Sequence, residues 1–193
     1  MDTFLIATGI VALAEIGDKT QLLSLVLAAR YRAPWAISAG IFVATLLNHA
    51  LAAWVGESVF TWLGPDWMRW IIGLSFIAMA AWTLIPDRLD EDEENSAEKK
   101  LRRYGVFLMT TTIFFLLEMG DKTQVATAIL AARFNDLLPV ILGTTVGMMI
   151  ANVPLVFFGN MLLRKISIEL VHRVTAVIFL VLGLATLAGL SFG

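Results

Sequence analysis

Glu15-Ile16-Gly17-Asp18-Lys19-Thr20 recurs as Glu118-Met119-Gly120-Asp121-Lys122-Thr123, and a glutamine follows each copy, Gln21 and Gln124. Both copies sit inside apolar stretches long enough to cross a bilayer. An ionisable side chain at membrane depth is costly and marks a functional site by default. Here each half of the chain carries two acids and a base within a single helical turn or so of one another. The reading of the whole chain works outward from this pair.

The surroundings are those of a membrane protein. Hydrophobic residues make up 59% and charged residues 16%, and mean hydropathy is +0.81. A soluble domain has about 45–50% apolar and about 25% charged residues. Six apolar runs of roughly 20 residues are each sufficient for a spanning helix. There is no cysteine, which removes disulfides and thiolate ligands for soft metals. The opening Met1-Asp2-Thr3-Phe4 lacks a basic region and a small-residue cleavage site, so a retained helix is expected rather than a signal peptide. The net charge of −2 identifies no partner, because the charges cluster in loops and in the two motifs. The bilayer is the expected partner, and no nucleic acid is expected.

In order, helices are expected at 3–29, 34–55, 67–85, 104–132, 137–163 and 168–190. Arg30 and Arg32 close the first, and Pro34 opens the second. Gly64-Pro65-Asp66 reads as a turn. Residues 87–103 are the one strongly hydrophilic stretch, acidic through Asp90-Glu91-Asp92-Glu93-Glu94 and then basic through Lys99, Lys100, Arg102 and Arg103.

The motifs superpose at a shift of 103 positions, as do Ala28-Ala29-Arg30 with Ala131-Ala132-Arg133, Gly40 with Gly143, and Phe76 with Phe179. Each half holds three helices, an odd number, so the second enters the membrane from the opposite side. The expected fold is an all-α integral membrane protein with six transmembrane helices as two inverted three-helix repeats. Residues 1–86 form the first repeat, 87–103 the linker and 104–193 the second repeat. Inverted repeats place a transporter's substrate site near the midplane, at the repeat interface. Arg30, Arg32, Arg88, Lys99, Lys100, Arg102, Arg103, Arg164 and Lys165 fall on one side, and Arg69 and Arg133 on the other. The basic side is cytoplasmic by the positive-inside rule. The linker is then inside and both termini outside.

Positions three apart share a helix face, so Glu15 and Asp18 can point together, with Gln21 continuing the face; Glu118, Asp121 and Gln124 do likewise. Gly17 and Gly120 weaken the helix between the acids. A loosened turn there frees backbone carbonyls, which is tolerated at depth only where protein or water satisfies them. Brought face to face, the motifs give four carboxylates with threonine, glutamine and carbonyl oxygens. Oxygen ligation suits hard divalent ions such as Ca²⁺, Mg²⁺ and Mn²⁺. With all groups ionised, the four acids and two lysines leave two negative charges, which one divalent cation or two protons neutralise. Carboxylates crowded at low dielectric take up protons when the metal leaves, so metal and protons can exchange through one site. Lys19 and Lys122 either balance and orient the acids or contact substrate. If instead each lysine neutralises an acid of its own helix, as Glu15 and Lys19 four apart allow, the cluster is a packing device. Thr20 and Thr123 either ligate a cation or hydrogen-bond their own helix backbone.

Asn48-His49 in the second expected helix and Asn152 in the fifth are further candidates for ligand or supporting roles, against the simpler reading of interhelical hydrogen bonds. Pro154 should kink its helix. Trp35, Trp62, Trp67 and Trp70 near helix ends suit an interfacial aromatic belt. Gly143, Gly147 and Gly159 suit close helix packing.

The paired E-x-G-D-K-T motifs, on the first and fourth of six expected helices, resemble the second calcium:cation antiporter family, which includes Golgi manganese/calcium transporters and bacterial manganese exporters. The resemblance covers essentially the whole chain, and both motifs match the family pattern E-x-G-D-[KR]-[TS]. It implies cation transport coupled to protons, with Glu15, Asp18, Glu118 and Asp121 as the metal site and Lys19, Thr20, Lys122 and Thr123 beside them. The compact chain is similar to the bacterial form, for which manganese efflux across the inner membrane is the implied role. The resulting expectation is a secondary transporter exporting Mn²⁺, with Ca²⁺ as a further candidate, in exchange for protons. It is not an enzyme and needs no cofactor, and a homo-oligomer is compatible with the sequence. The alternatives are a passive channel or uniporter, an exporter of another solute, and an intramembrane metal-dependent enzyme. Against the last, the chain holds neither HExxH nor a Gly-rich phosphate loop.

Overall fold

A computed structural model of the chain describes residues 2–85, 105–159 and 168–190. Among these the regular elements are helices: α1 (Asp2–Glu15), α2 (Lys19–Tyr31), α3 (Pro34–Thr83), α4 (Val106–Glu118), α5 (Lys122–Phe134), α6 (Leu137–Phe158) and α7 (Ile168–Leu187). The linker at 87–103 and the basic pair Arg164 and Lys165 lie outside the described residues.

Two features set these helices apart from six plain spans; the first, whether the motif helices are broken or continuous, is left open by the sequence. The motif-bearing helices are each broken in two, α1/α2 at Ile16-Gly17-Asp18 and α4/α5 at Met119-Gly120-Asp121. Gly17 and Gly120 take φ of 88° and 79°, a region open to glycine and strained for other residues. The polypeptide therefore cannot continue as a right-handed helix through either motif.

The second feature is α3, whose helical backbone runs through 64–66, where a turn was expected. Its contacts nevertheless require it to fold back. The backbone at Gly56 touches Ala128 of α5, while the Lys122 Nζ, six residues earlier in α5, donates to Ile85 O at 3.0 Å. A straight helix would separate Gly56 from Thr83 by about 40 Å, whereas six residues of α5 cover about 9 Å. Between these points the sequence holds Pro65, which cannot donate the helical hydrogen bond and so permits a sharp bend. Beyond it, the second arm of α3 runs antiparallel to α7. Gly73 faces Gly183 and Leu187, Ile77 also meets Gly183, and Phe76 stacks on Phe179 with ring centroids 6.0 Å apart.

Each broken helix lies along a helix from the other half. Gly143 of α6 abuts Phe4 and Ala7 of α1, and Gly147 abuts Thr8 and Ala12. Gln21 of α2 then reaches Ala151 O at 3.0 Å. The same contacts recur 103 positions away. Gly40 of α3 abuts Phe107 and Thr110 of α4, and Gln124 of α5 reaches Asn48 Oδ1 at 3.3 Å. A Cβ at Gly143 or Gly147 would stand 2.5 Å from a backbone oxygen of α1, so glycine here permits backbone-to-backbone packing. Gly159 has another role: it ends α6 with φ of 59°, and no neighbour crowds it. Pro154 does lie inside α6.

Beside an apolar core, buried polar side chains and large exposed apolar ones occur together. Asn48, His49, Thr110, Thr127 and Asn152 are fully buried, while Leu47, Trp54, Leu116, Ile150 and Val177 are exposed. Trp35 and Trp62, near helix ends, are 78% and 88% exposed, as a lipid-facing aromatic belt requires. Among the described residues three stretches are long and apolar enough to cross a membrane: Pro34–Leu63, Leu137–Phe158 and Glu169–Leu187. The half-helices of each motif are too short to do so alone, at about 20 Å against a hydrocarbon core of about 30 Å.

Candidate cation site

The two chain breaks have the same construction. Glu15 ends α1, and Asp18, with extended backbone, stands at the N-cap of α2. Asp18 N donates to Glu15 O at 3.0 Å. Gly17 N donates to Gln21 Oε1 at 2.8 Å, so the glutamine satisfies a backbone group that the break leaves without a helical partner. In the second motif, Asp121 N donates to Glu118 O at 3.1 Å, and Gly120 N to Gln124 Oε1 at 2.6 Å. Gln21 and Gln124 thus brace the breaks and tie them to α6 and α3 rather than extending a carboxylate face.

The threonines reach back across the breaks. Thr20 Oγ1 donates to Glu15 Oε1, and Thr123 Oγ1 donates to Glu118 Oε2 at 2.8 Å. The hydroxyls thus bond a glutamate of their own motif rather than their own helix backbone, one of the two readings offered from sequence. Each threonine orients the glutamate of its own motif.

All four motif acids are buried, with Glu15 and Glu118 fully so. The structure gathers three of them: Glu15, Asp18 and Glu118 each offer an oxygen, all lying within 4.8 Å of one another. Asp121 is held differently, by Lys19 Nζ at 3.0 Å from its Oδ1. This ion pair joins the two motifs, so Lys19 balances an acid of the other motif and not Glu15 on its own. Lys122 donates to Ile85 O. Of the expected cluster of four carboxylates, three gather as a trio and the fourth is paired with Lys19, which reaches across the interface to it.

Two asparagines support the site. Asn152 Nδ2 donates to Glu15 Oε1 at 2.9 Å, and its Oδ1 accepts from Ser24 Oγ at 2.8 Å. Asn48 Nδ2 donates to Phe115 O at 3.0 Å, beside the second break. Ser24 was not singled out from sequence; its one signal is a position one turn after Thr20 on a helix that carries the motif.

The electrostatics decide what the trio can be. Two unit charges 4.8 Å apart repel by roughly 3 kcal/mol at an effective dielectric of 20, so three ionised carboxylates cost about 10 kcal/mol. That is as large as the whole stability of a typical domain, about 5–15 kcal/mol. A cation or protons held among the three oxygens would offset that repulsion.

Comparison with known proteins supplies the family. The profile of the GDT1 family, described as divalent cation/proton antiporters, matches residues 3–91 and 106–191. The chain belongs to this family. A Vibrio cholerae serotype O1 protein described as "Putative manganese exporter" is 51% identical over 187 residues, covering 96% of this chain and 90% of its own. A GDT1-like protein of Synechocystis is 28% identical over 186 residues, covering 88% and 89%. GDT1-like protein 5 of Arabidopsis thaliana is 28% identical over 208 residues, covering 91% and 90%. No solved structure matches. The chain is a membrane transport protein of a cation/proton antiporter family, not an enzyme.

Proposed function

We propose that this GDT1-family protein exports Mn²⁺, and to a lesser degree Ca²⁺, in exchange for protons, through a site made by Glu15, Asp18 and Glu118. The observation that carries the proposal is the buried trio itself, which draws on both motifs and whose mutual repulsion a cation or protons would offset. A divalent ion entering the trio displaces protons from carboxylates that it neutralises, and its departure readmits them. Thr20, Thr123 and Asn152 hold the glutamates in place through the cycle. Asp121 and Lys19 form the link between motifs that keeps the halves in register.

The architecture that best accounts for this is two inverted three-helix repeats, 1–86 and 104–193, joined by the linker 87–103. Its support is the recurrence of contacts at a shift of 103 positions. Gly143 meets Phe4 and Ala7 just as Gly40 meets Phe107 and Thr110, and the glutamine braces match. Alternating access is then a rocking of one repeat against the other about a site at the membrane midplane. Placement in the inner membrane rests on the likeness to a bacterial protein described as a manganese exporter, and a cytoplasmic linker on the basic residues. Arg69 and Arg133, the two assigned to the opposite side, line one cavity of about 290 Å³ at the same end of the molecule.

The test is metal flux into proteoliposomes by the wild type and by Glu15→Gln, Asp18→Asn and Glu118→Gln. Each variant is expected to lose most of the Mn²⁺ flux while still inserting and remaining folded. Wild-type flux in all three would remove the trio from the transport path.

A further inference from the structure

Arg69 of α3 and Arg133 of α5 come from different halves of the chain, yet they line one cavity of about 290 Å³. The residues that follow α7 bring them together. Arg133 Nη2 donates to Leu190 O at 3.3 Å, and Arg69 Nη1 stands 3.8 Å from the place a Cβ on Gly189 would take. Among the described residues neither arginine is paired with a carboxylate. Arg69 is exposed and Arg133 half-buried. Trp67 and Trp70, which flank Arg69 in sequence, are exposed as well, and such tryptophans sit at the level of the lipid headgroups.

Arg133 and Thr186 also line a second cavity, of about 320 Å³. The rest of its wall is apolar, with Leu5, Gly9 and Leu13 from α1 facing Ile178 and Leu182 from α7. Thr175 of α7 donates to Leu13 O at 3.3 Å, which marks the deep end. From Thr186 to Ile178 the groove follows α7 for about 12 Å. A Cβ on Gly9 would meet nothing within 4 Å, so the groove is open along α1. It begins beside a guanidinium and continues toward the middle of the bilayer.

We infer that the two cavities form one site for an anionic glycerophospholipid, with its phosphate between Arg69 and Arg133 and an acyl chain in the groove. The groove alone selects nothing, because lipid tails are as apolar as the leucines that line it. Selection comes from the guanidinium groups, whose planar donors meet phosphate oxygens two at a time. Basic recesses between spanning helices hold acidic headgroups in this way. A zwitterionic lipid carries its own cation into a cavity that already holds two. Free phosphate would satisfy the arginines and leave the groove unused. The walls come from both halves of the chain, α1 and α3 from one and α5 and α7 from the other, so a bound lipid bridges them. The inference does not depend on transport through the carboxylate trio.

The experiment is native mass spectrometry of the purified full chain in detergent, titrated with phosphatidylglycerol or with phosphatidylcholine of the same acyl chains. The wild type should retain one phosphatidylglycerol at concentrations where phosphatidylcholine is not retained. Arg69→Gln with Arg133→Gln should weaken phosphatidylglycerol binding about thirtyfold. Gly9→Phe, which fills the groove, should weaken it while both arginines remain. Arg30→Gln with Arg32→Gln, from the basic side, should leave it unchanged. Equal retention of the two lipids by the wild type overturns the inference, as does binding that survives loss of Arg69 and Arg133. An equal loss in the Arg30 and Arg32 variant also overturns it, since that describes general attraction to positive charge. Displacement of the lipid by inorganic phosphate, with Gly9→Phe binding like the wild type, makes the site one for a free anion and overturns the lipid. Should the double variant fail to fold, Arg69→Gln alone, at an exposed position, and the lipid preference of the wild type decide the matter.

Discussion

Replacing Glu118 with glutamine should raise the stability of the metal-free protein and abolish its response to metal. The amide keeps the shape of the side chain and an oxygen to accept from Thr123, so the packing around the position is conserved. What the substitution removes is one charge from a trio whose oxygens lie within 4.8 Å. Two repulsions of roughly 3 kcal/mol each disappear, and because protonation already offsets much of that in the wild type, a net gain of about 2 kcal/mol is expected. For a chain of this size that is a rise in Tm of about 4–8 °C. Mn²⁺ at about a hundred times its Kd should stabilise the wild type by about 2.7 kcal/mol, and the variant by far less. The assay is thermal unfolding of detergent-solubilised protein at alkaline pH, with chelator and then with Mn²⁺. The two proteins should exchange rank when metal is added. A variant that melts below the wild type without metal, yet gains as much from Mn²⁺, would show the trio to be a packing device.

Other expectations concern the link between motifs and the packing around it. Lys19→Met leaves Asp121 buried without its countercharge and should lower stability by about 3 kcal/mol; adding Asp121→Asn should recover most of the loss, read as Tm of the single and double variants. Gly56→Ala drives a methyl group into Ala128 O, so α3 and α5 must separate, at a cost of about 3 kcal/mol or a failure to insert. Gly9→Ala, where nothing lies within 4 Å, should be near neutral in the same expression and melting assay. Gly120→Ala forces a side chain into φ of 79° and should cost about 1–2 kcal/mol, with Mn²⁺ flux falling more than stability because the break sets the position of Glu118.

The sequence made some of this structure legible and hid the rest for physical reasons. Duplication of a charged hexapeptide in an apolar setting was enough to expect the motifs to meet, and the structure does bring Glu15, Asp18 and Glu118 together. Glycine between the acids signalled weakness in the helix, and both helices break there. Helical spacing did not reveal how the acids are sorted. Glu15 and Lys19 stand one turn apart in sequence, but the break removes that geometry and Lys19 reaches Asp121 across the interface. The threonine donors were equally hidden, since a hydroxyl can reach back five residues only after the helix between has opened. In α3, the Gly64-Pro65-Asp66 stretch reads locally as a turn, while helical backbone carries through it and the reversal is accomplished by bending.

The most direct test of the account uses wild-type protein in liposomes with a pH-sensitive dye inside and the voltage clamped by potassium and valinomycin. External Mn²⁺ should enter and raise the internal pH, and Asp18→Asn should show neither change. Mn²⁺ entry without any change in internal pH would contradict proton exchange and describe a passive cation pathway instead.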